Sequence, residues 1–295
     1  MRRAVVLALL CSAVAYALVP EVEQAVLAHN FKAAGDLLKH YRAQRGVNAE
    51  YLEADSWIGR GQLFAKNYTA ALQNADEVRQ LCLKQLAARR LDAEPSLPTA
   101  LGASIEVTAQ SLAAQGHRDE ALTFLTGELV TYRTTSIAAR IQKNLNLLSL
   151  VGKPAPPLDV TAGVVGPHPR PLTAHAGHPM LLFFWAHWCS DCKAEIPIIE
   201  RLQKGVEVIA PTQHYGYVAA GADAPPSVET PYIAKIFAQY YSGLGAVETP
   251  LSEVNFARYG VSTTPTIVLV NAAGIVTLYH PGAMTFDELA AALRR

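Results

Sequence analysis

The sequence predicts two folded domains: an all-α domain of helical hairpins, followed by an α/β domain whose mixed central sheet is flanked by helices. Its 295 residues exceed the roughly 100 to 200 residues that one domain usually contains. Apolar residues recur at helical spacing in the first half, whereas short β-branched runs alternate with helical stretches in the second. We therefore expect a signal peptide at 1–17, the all-α domain at 18–150 and the α/β domain at 151–295.

The composition is that of a compact globular protein. Hydrophobic residues make up 51% of the chain and charged residues 17%, which argues against disorder. Lys plus Arg and Asp plus Glu both number 25, so the formal net charge is zero, and no long run of one sign occurs. The sequence therefore gives no electrostatic reason to expect nucleic acid or an anionic membrane surface as a partner.

The N-terminus has the features of an export signal. Arg2 and Arg3 precede an apolar run at 4–15, and the small-residue pattern "AYA" ends at Ala17. We expect cleavage after Ala17 and a mature protein in the periplasm or another extracytoplasmic space, where disulfides persist. An uncleaved signal would instead hold the chain at the membrane.

Three segments of the first half echo one another. They are "HNFKAAGDLLKHY" from His29, "KNYTAALQNADEV" from Lys66 and "GHRDEALTFLTGEL" from Gly116, spaced by 37 and then 50 residues. Each segment opens with a polar turn and then places an alanine early in a helix, where a neighbouring helix can approach closely. These alanines are Ala34, Ala71 and Ala121.

This half resembles tetratricopeptide-type helical hairpins, whose repeat is about 34 residues. The resemblance implies a groove that binds a protein or peptide partner. Two alternatives stay open: the helices form a bundle that only packs against the second half, or they provide a surface for dimerisation.

The second half begins with a proline-rich stretch, residues 151–179, in which extended segments joined by turns are expected. Four buried strands are predicted after it: "MLLFFWA" from Met180, "VEVIAP" from Val206, "TIVLV" from Thr266 and "IVTLY" from Ile275. Helices separate the first three strands, which predicts right-handed parallel crossovers, and the turn "NAAG" joins the last two as an antiparallel hairpin. A final helix begins at Thr285, which has capping-box spacing to Glu288.

Two cysteines, Cys189 and Cys192, form a Cys-x-x-Cys motif between a buried strand and a helix. Cys189 falls at the helix N-terminus, where unpaired N–H groups and the helix dipole stabilise a thiolate. We therefore expect Cys189 to be the nucleophile and Cys192, one turn further along, to be the resolving thiol. Cys82, on the apolar stripe of an earlier helix, is expected to be a buried structural thiol.

A zinc site is one alternative for the cysteine pair. Structural zinc needs four ligands, and the sequence offers neither a second cysteine pair nor a His-x-x-x-His motif, although His187, His214 and His280 leave the alternative open. A purely structural disulfide is another, but so short a loop constrains the unfolded chain little. We therefore expect neither a metal nor any cofactor other than a redox-active disulfide between Cys189 and Cys192.

From residue 151 onward the sequence resembles the thioredoxin fold, and within it the exported TlpA-type thiol-disulfide oxidoreductases. The resemblance rests on "VGKPAPPLDV" as the opening hairpin, "FFWAHWCSDCKAEIP" as the active-site strand and helix, and "YGVSTTPTIVLV" followed by "NAAGIV". It implies an enzyme that exchanges disulfides with protein substrates and depends on an upstream electron donor.

The resemblance also assigns roles to individual residues. Cys189, Cys192 and Glu195 are the expected catalytic residues, and Trp188, Thr264 and Pro265 the expected substrate-binding residues. Pro265 matches a cis-proline beside the disulfide, which leaves the backbone of Thr264 free to pair with an extended substrate segment. Glu195 lies one helical turn after Cys192 and matches a partly buried acid that handles protons; the alternative is a solvated surface carboxylate.

Aromatic residues surround the cysteine pair in the sequence. Trp188 is expected to be part-exposed beside Cys189 and to shape the docking surface, whereas Trp185 packs in the core. His187 either tunes the thiolate when protonated or is an exposed histidine without that role. The tyrosine-rich stretch 211–260 either forms a lip for the substrate or packs as an insertion on the helical half.

The dipeptide between the cysteines, Ser190-Asp191, bears on the direction of electron flow. The negative charge of Asp191 opposes ionisation of Cys189, and a destabilised thiolate makes the couple more reducing, so we expect a reductase rather than an oxidase.

Two other functions stay open. One is a peroxiredoxin-like thiol peroxidase, although Ala186 stands where those enzymes carry threonine; the other is a redox-inert binding or assembly protein, against which the intact cysteine pair argues.

Overall fold

A computed structural model describes residues 17–294 of the chain. The first half is helical, as predicted, and its helices are α1 (Leu18–Leu27), α2 (Phe31–Arg45), α3 (Ala49–Phe64), α4 (Tyr68–Leu86), α5 (Ser96–Ala114), α6 (Arg118–Tyr132) and α7 (Ala138–Ser149). The predicted signal peptide lies outside the described residues, except for Ala17. In the part of the chain that is described, no helix is both long enough and apolar enough to cross a membrane.

The helices of the first half pack as successive pairs. Helix α1 contacts α2, α3 contacts α4, and α5 contacts α6, while α3 also packs on α1 and α5. The last helix, α7, packs on α5 and α6. Their apolar faces enclose one core, which contains the fully buried side chains of Leu52, Leu101 and Leu125 and also the thiol of Cys82.

The three predicted repeat units share one turn geometry. Helices α2, α4 and α6 each begin two residues after a residue with positive φ, which is 56° in His29, 61° in Lys66 and 91° in Gly116. The following N–H donates to the carbonyl five residues back, as in a Schellman motif. The three bonds run from Asn30 to Ala25 (2.8 Å), Asn67 to Gln62 (2.8 Å) and His117 to Leu112 (2.9 Å). The alanines expected at close helix contacts, Ala34, Ala71 and Ala121, are all buried.

The second half contains a mixed sheet flanked by helices, as predicted. Its elements are β1 (Met180–Phe184), α8 (Ser190–Leu202), β2 (Glu207–Ile209), α9 (Pro226–Tyr240), α10 (Glu253–Tyr259), β3 (Thr266–Val270), β4 (Val276–Pro281) and α11 (Phe286–Leu293). The strand order is β2-β1-β3-β4, and β3 and β4 form the predicted antiparallel hairpin. Thr285 and Glu288 form the predicted capping box at the start of α11.

One predicted connection is wrong. The alternation of strands and helices predicted parallel crossovers between the first three strands, and β1 and β2 are indeed parallel. Strand β3, however, runs antiparallel to β1, with Phe184 opposite Thr266. The chain between β2 and β3 contains two helices, α9 and α10, so it enters the sheet from the opposite end.

The proline-rich stretch does not form the predicted opening hairpin. Its first residues instead extend along the start of β4, where the Gly152 N–H donates to the Val276 carbonyl at 2.8 Å. The Val276 N–H in turn donates to the Lys153 carbonyl at 2.9 Å. Pro154 and Pro156 have no N–H to donate, which limits this pairing to a few bonds.

The two halves meet where α7 packs against α10 and β4. Gly260 ends α10 with a φ of 63° and lies against the backbone of α7, where a Cβ atom would overlap Gln142 and Lys143. The stretch 211–260 therefore packs partly on the helical half, as one of the two alternatives predicted.

Candidate active site

Strand β1 leads directly into the cysteine motif, and hydrogen bonds fix the residues between them. Trp185 is fully buried, as predicted, and its indole Nε1 donates to the Ala210 carbonyl at 3.0 Å. The Thr212 hydroxyl donates to the Trp185 carbonyl at 2.9 Å. Both partners follow β2, so the loop that carries the cysteines is held to the end of the neighbouring strand.

Cys189 and Cys192 form a disulfide at the N-terminus of α8. Cys189 is the N-cap, and its Sγ accepts a hydrogen bond from the Cys192 N–H at 3.0 Å. That N–H and the positive end of the helix dipole would stabilise a thiolate at this place. Cys192 is completely buried, whereas Cys189 keeps 3% of its surface exposed. Cys189 is therefore the more accessible of the two cysteines.

The Thr264–Pro265 peptide bond is cis, as predicted, and directly precedes β3. Because Thr266 pairs with Phe184, this bond lies at the end of the two central strands where β1 leads into the cysteine loop. Pro265 is buried and Thr264 is half-buried. The Thr264 hydroxyl oxygen is enclosed, yet it has no hydrogen-bond partner among residues 17–294. The predicted substrate-binding pair and the disulfide therefore lie beyond the same end of the central strands β1 and β3.

Glu195 lies inside the domain. Only 2% of the residue is exposed, so the alternative of a solvated surface carboxylate is wrong. Burial raises the pKa of Glu195, although a hydrogen bond from the Met284 N–H to its Oε1 at 2.9 Å partly offsets this effect. A carboxyl group with a raised pKa is suited to exchanging a proton near neutral pH.

His187 is also buried, which excludes the alternative of an exposed histidine. Its Nε2 lies 3.3 Å from Oε1 of Glu229, a residue of α9 with no exposed surface. Burial lowers the pKa of His187, and the neighbouring Glu229 partly offsets this effect. Sequence patterns did not single out Glu229, because an acid in the first turn of a helix is ordinarily explained by the helix dipole.

Aromatic rings surround His187 and form a wall beside the cysteine loop. The rings of Tyr215 and Tyr217 meet the His187 ring edge to face, with centroids 5.6 and 5.4 Å away. Trp188 packs edge-on against Tyr215 at 5.5 Å and remains 47% exposed. Residues 213–217, which we call the tyrosine segment, therefore pack beside the active-site loop, and a role as a substrate lip stays a prediction.

Two of the histidines considered as zinc ligands have other partners. His187 lies against Glu229, and His214 Nε2 lies 2.8 Å from the Thr230 hydroxyl. Among residues 17–294, no group of three or more His, Cys, Asp or Glu side chains is arranged to hold a metal ion.

A disulfide at a helix N-terminus, a cis-proline before the adjacent strand and a mixed sheet together define the second half as a thioredoxin-like domain. The thioredoxin-like domain family matches residues 172–295, a range that includes the whole sheet, the cysteine motif and the cis-proline.

Within this half the chain is similar to proteins of disulfide exchange. It is 30% identical to the thiol:disulfide interchange protein DsbE of Xylella fastidiosa (strain Temecula1) over 141 residues, which cover 46% of this chain and 64% of that protein. It is 29% identical to the thioredoxin-like protein YneN of Bacillus subtilis (strain 168) over 113 residues, 38% of this chain and 62% of that protein. The chain thus spans less than two thirds of the length of these curated relatives.

Solved structures include a similar thiol:disulfide interchange protein of the thioredoxin family from Chlorobium tepidum TLS. The two chains are 17% identical, with a TM-score of 0.38, and the similarity covers 48% of this chain and 94% of that one.

Proposed function

We propose that the protein is an exported thiol-disulfide oxidoreductase of the TlpA type, which exchanges disulfides with protein substrates and acts as a reductase rather than an oxidase. One observation carries the proposal: the disulfide lies at the N-terminus of α8, beyond the same end of the central strands as cis-Pro265, with Cys189 the more accessible cysteine. Similarity to the thiol:disulfide interchange protein DsbE of Xylella fastidiosa supports the same chemistry.

The reaction consists of two thiol–disulfide exchanges. In the reduced protein, the Cys189 thiolate attacks one sulfur of the substrate disulfide; that bond breaks, a mixed disulfide forms, and the first substrate thiolate leaves and takes up a proton. Cys192 then loses its proton and attacks the Cys189 sulfur, which closes the intramolecular disulfide and releases the second substrate thiolate. Two electrons pass from the cysteine pair to the substrate, so an upstream donor has to reduce the pair again.

Glu195 is the proposed proton acceptor for Cys192. It lies one helical turn after Cys192, it is buried, and its pKa is raised by that burial. A carboxylate whose conjugate acid is only weakly acidic takes a proton from a thiol more readily than an exposed one does. The carboxyl group is also held in place, because its Oε1 accepts a hydrogen bond from the Met284 N–H.

Trp188, Thr264 and Pro265 are the proposed substrate-binding residues. The half-exposed ring of Trp188 offers an apolar surface beside Cys189. An extended substrate segment would add its backbone to that of Thr264, in the manner of a strand added to a sheet edge. The unpartnered hydroxyl of Thr264 offers a further hydrogen bond to such a segment.

The direction of electron flow is proposed from the dipeptide between the cysteines. Ser190 and Asp191 are both exposed on the first turn of α8. The negative charge of Asp191 opposes the Cys189 thiolate, and a less stable thiolate makes the couple more reducing. Exposure to solvent weakens this effect without reversing its sign.

The helical half is proposed to select protein partners. Its paired helices and the shared turn before α2, α4 and α6 support the resemblance to tetratricopeptide-type hairpins. Because α7 packs on α10 and β4, a partner bound to these hairpins is tethered to the oxidoreductase half. Export stays a prediction from residues 1–17.

Reduction of insulin disulfides by the purified protein, supplied with a chemical reductant, tests the proposed function. Wild-type protein and the Cys82→Ala variant should both be active, since Cys82 is a buried thiol of the helical core, whereas Cys189→Ser should be inactive. Hydrogen peroxide consumption faster than disulfide exchange would support a peroxidase instead, and no turnover of either kind would support a redox-inert protein.

Cys192→Ser should trap a mixed disulfide with the physiological partner.

A further inference from the structure

A buried carboxylate lies behind the tyrosine segment. Glu229 has no exposed surface, and each of its oxygens accepts a backbone N–H. Oε1 accepts from Tyr215 at 2.6 Å and Oε2 accepts from Gly216 at 2.9 Å, while Nε2 of His187 lies 3.3 Å from Oε1. One side chain of α9 therefore holds the backbone of the tyrosine segment and lies against His187, two positions before Cys189.

Stability alone does not account for a carboxylate at this position. Transfer of a charged group into a protein interior costs several kcal/mol unless close partners offset it, and apolar replacements of buried ionic groups are often no less stable. Glu229 has such partners, since bonds from backbone N–H groups to a charged acceptor are short and strong. What the carboxylate adds is a fixed position for the backbone of Tyr215 and Gly216.

The ring of Tyr215 links this fixed backbone to the exposed part of the site. Tyr215 lies between the His187 ring at 5.6 Å and the Trp188 ring at 5.5 Å. Trp188 is the exposed aromatic residue next to Cys189. A change in the backbone at Tyr215 therefore moves the surface that supports Trp188. The sulfur atoms themselves are held separately, because Cys189 caps α8 and bonds to Cys192.

We propose that Glu229 is a positioning residue for the disulfide exchange: it anchors the tyrosine segment, and through Tyr215 it fixes Trp188 as a docking wall for apolar side chains next to a protein disulfide. The proposal rests on the proposed function. Because Glu229 contacts backbone N–H groups and His187 rather than the cysteines, it governs how a protein segment docks and leaves the reactivity of Cys189 toward small disulfides unchanged.

The test compares two substrates in Glu229→Gln. The amide keeps the size of the side chain, but it has one oxygen for two backbone donors and no charge opposite His187. A buried donor left unpaired costs enough to weaken a contact by about tenfold. We expect kcat/KM for insulin to fall by about that factor, mainly through a higher KM. Hydroxyethyl disulfide is too small to contact Trp188 while it reacts with Cys189, so its rate of reduction should match that of the wild type.

Glu248→Gln is the matched control. Glu248 also accepts a backbone N–H, from Arg170 at 2.8 Å, and its Oε2 lies 3.3 Å from Nε2 of the buried His175. His175 contacts Glu207 at the first residue of β2, whereas the cysteines follow the last residue of β1. Unlike Glu229, Glu248 also forms an ion pair with the Arg170 guanidinium, with Nε 2.6 Å from Oε1. The same substitution away from the cysteine loop should therefore leave both rates at the wild-type value.

A second variant keeps the proposal testable if Glu229→Gln folds poorly. Tyr215→Leu removes the ring that supports Trp188 and a buried hydroxyl that has no partner in the described part of the chain, so the domain should tolerate it. It should show the same selective loss with insulin. In a Trp188→Ala background, Glu229→Gln should add little further loss, because both changes remove one surface.

The outcomes separate the two proposals. Equal losses with insulin and hydroxyethyl disulfide, or no loss with insulin, would overturn the role of Glu229 while wild-type activity upholds the proposed function. If wild-type protein reduces neither substrate, the proposed function itself is wrong. A full additional loss in the Trp188→Ala background would show that Glu229 acts by another route.

Discussion

At the scale of single residues, Glu195 gives the most direct test of proton transfer. Its burial one turn after Cys192 means that an ionised Glu195 opposes a second negative charge on Cys192. In a Cys189→Ser background, Glu195→Gln should therefore let Cys192 react with iodoacetamide at a lower pH. Glu200→Gln, further along the same helix, should leave the alkylation profile unchanged. Identical profiles for the two variants would show that Glu195 is not coupled to the thiol.

Asp55 provides a second residue-scale prediction, in the core of the helical half. Burial raises its pKa to about 6, well above the ordinary value of about 3.9. Because the folded state holds the proton more tightly, ionisation favours unfolding: the penalty is absent below pH 4, grows from about pH 4 to 6, and is complete above that range. The shift corresponds to a penalty of about 3 kcal/mol.

Asp55→Asn removes this penalty and keeps an oxygen for the Asn74 amide, which donates to Asp55 Oδ1 at 2.9 Å. Urea unfolding should show the variant to be more stable than wild type at pH 7.5, by up to about 3 kcal/mol, and equal to it at pH 4. Asp76→Asn, at an exposed position of α4, should show no such pH-dependent gain. A variant that is less stable than wild type at pH 7.5 would contradict the assignment.

The residue scale also shows which parts of the site's geometry the sequence predicts. The cysteines and Glu195 lie on one short helix, where spacing alone places them on one face. The cis bond at Pro265 was implied by the resemblance to the thioredoxin fold, not by the local sequence alone. The contact between His187 and Glu229 was not predictable, because it joins residues far apart in sequence and depends on how α9 docks after β2. No periodicity or composition marks such a pair.

At the scale of elements, the shared turn makes a prediction about helix ends. Lys66 adopts a φ of 61°, which glycine tolerates better than lysine, and Gly116 already occupies the equivalent place with a φ of 91°. Lys66→Gly should therefore stabilise the protein by about 0.5 to 1 kcal/mol in urea unfolding. Lys84→Gly, in the last turn of α4, should destabilise it by about 1 kcal/mol. If Lys66→Gly lowered the stability of the protein as Lys84→Gly does, the shared turn would be contradicted.

The elements themselves were largely predictable, because each has a local signal. Buried apolar runs marked β1 and β3, and Thr285 with Glu288 marked the start of α11. The direction of β3 was not predictable in this way, since strand direction depends on how many times the intervening chain crosses the domain. The prediction of an opening hairpin in the proline-rich stretch was wrong for a related reason. The prolines predict extended backbone but do not specify which strand it pairs with, and that strand is β4.

At the scale of the whole molecule, the contact between the halves depends on Gly260. Its φ of 63° disfavours residues other than glycine, and a Cβ atom there would overlap the backbone of Gln142 and Lys143 in α7. Backbone atoms cannot rotate out of the way as a side chain can, so Gly260→Ala has to move α10 away from α7. The α7 contacts with β4 are then strained as well, because α7 packs on both elements.

Gly260→Ala should therefore lower the free energy of unfolding by about 2 kcal/mol or more, and split one urea transition into two, because the halves no longer stabilise each other. Gly116→Ala is the matched control: its φ is also positive, at 91°, but a Cβ atom there would meet nothing within 4 Å. It imposes the backbone cost of alanine without disturbing the contact between the halves, so it should lower stability less and keep the wild-type number of transitions. If the two variants behave alike, the helical half and the thioredoxin-like half are coupled only through the chain that joins them, and partner selection by the helices could not be transmitted through α7.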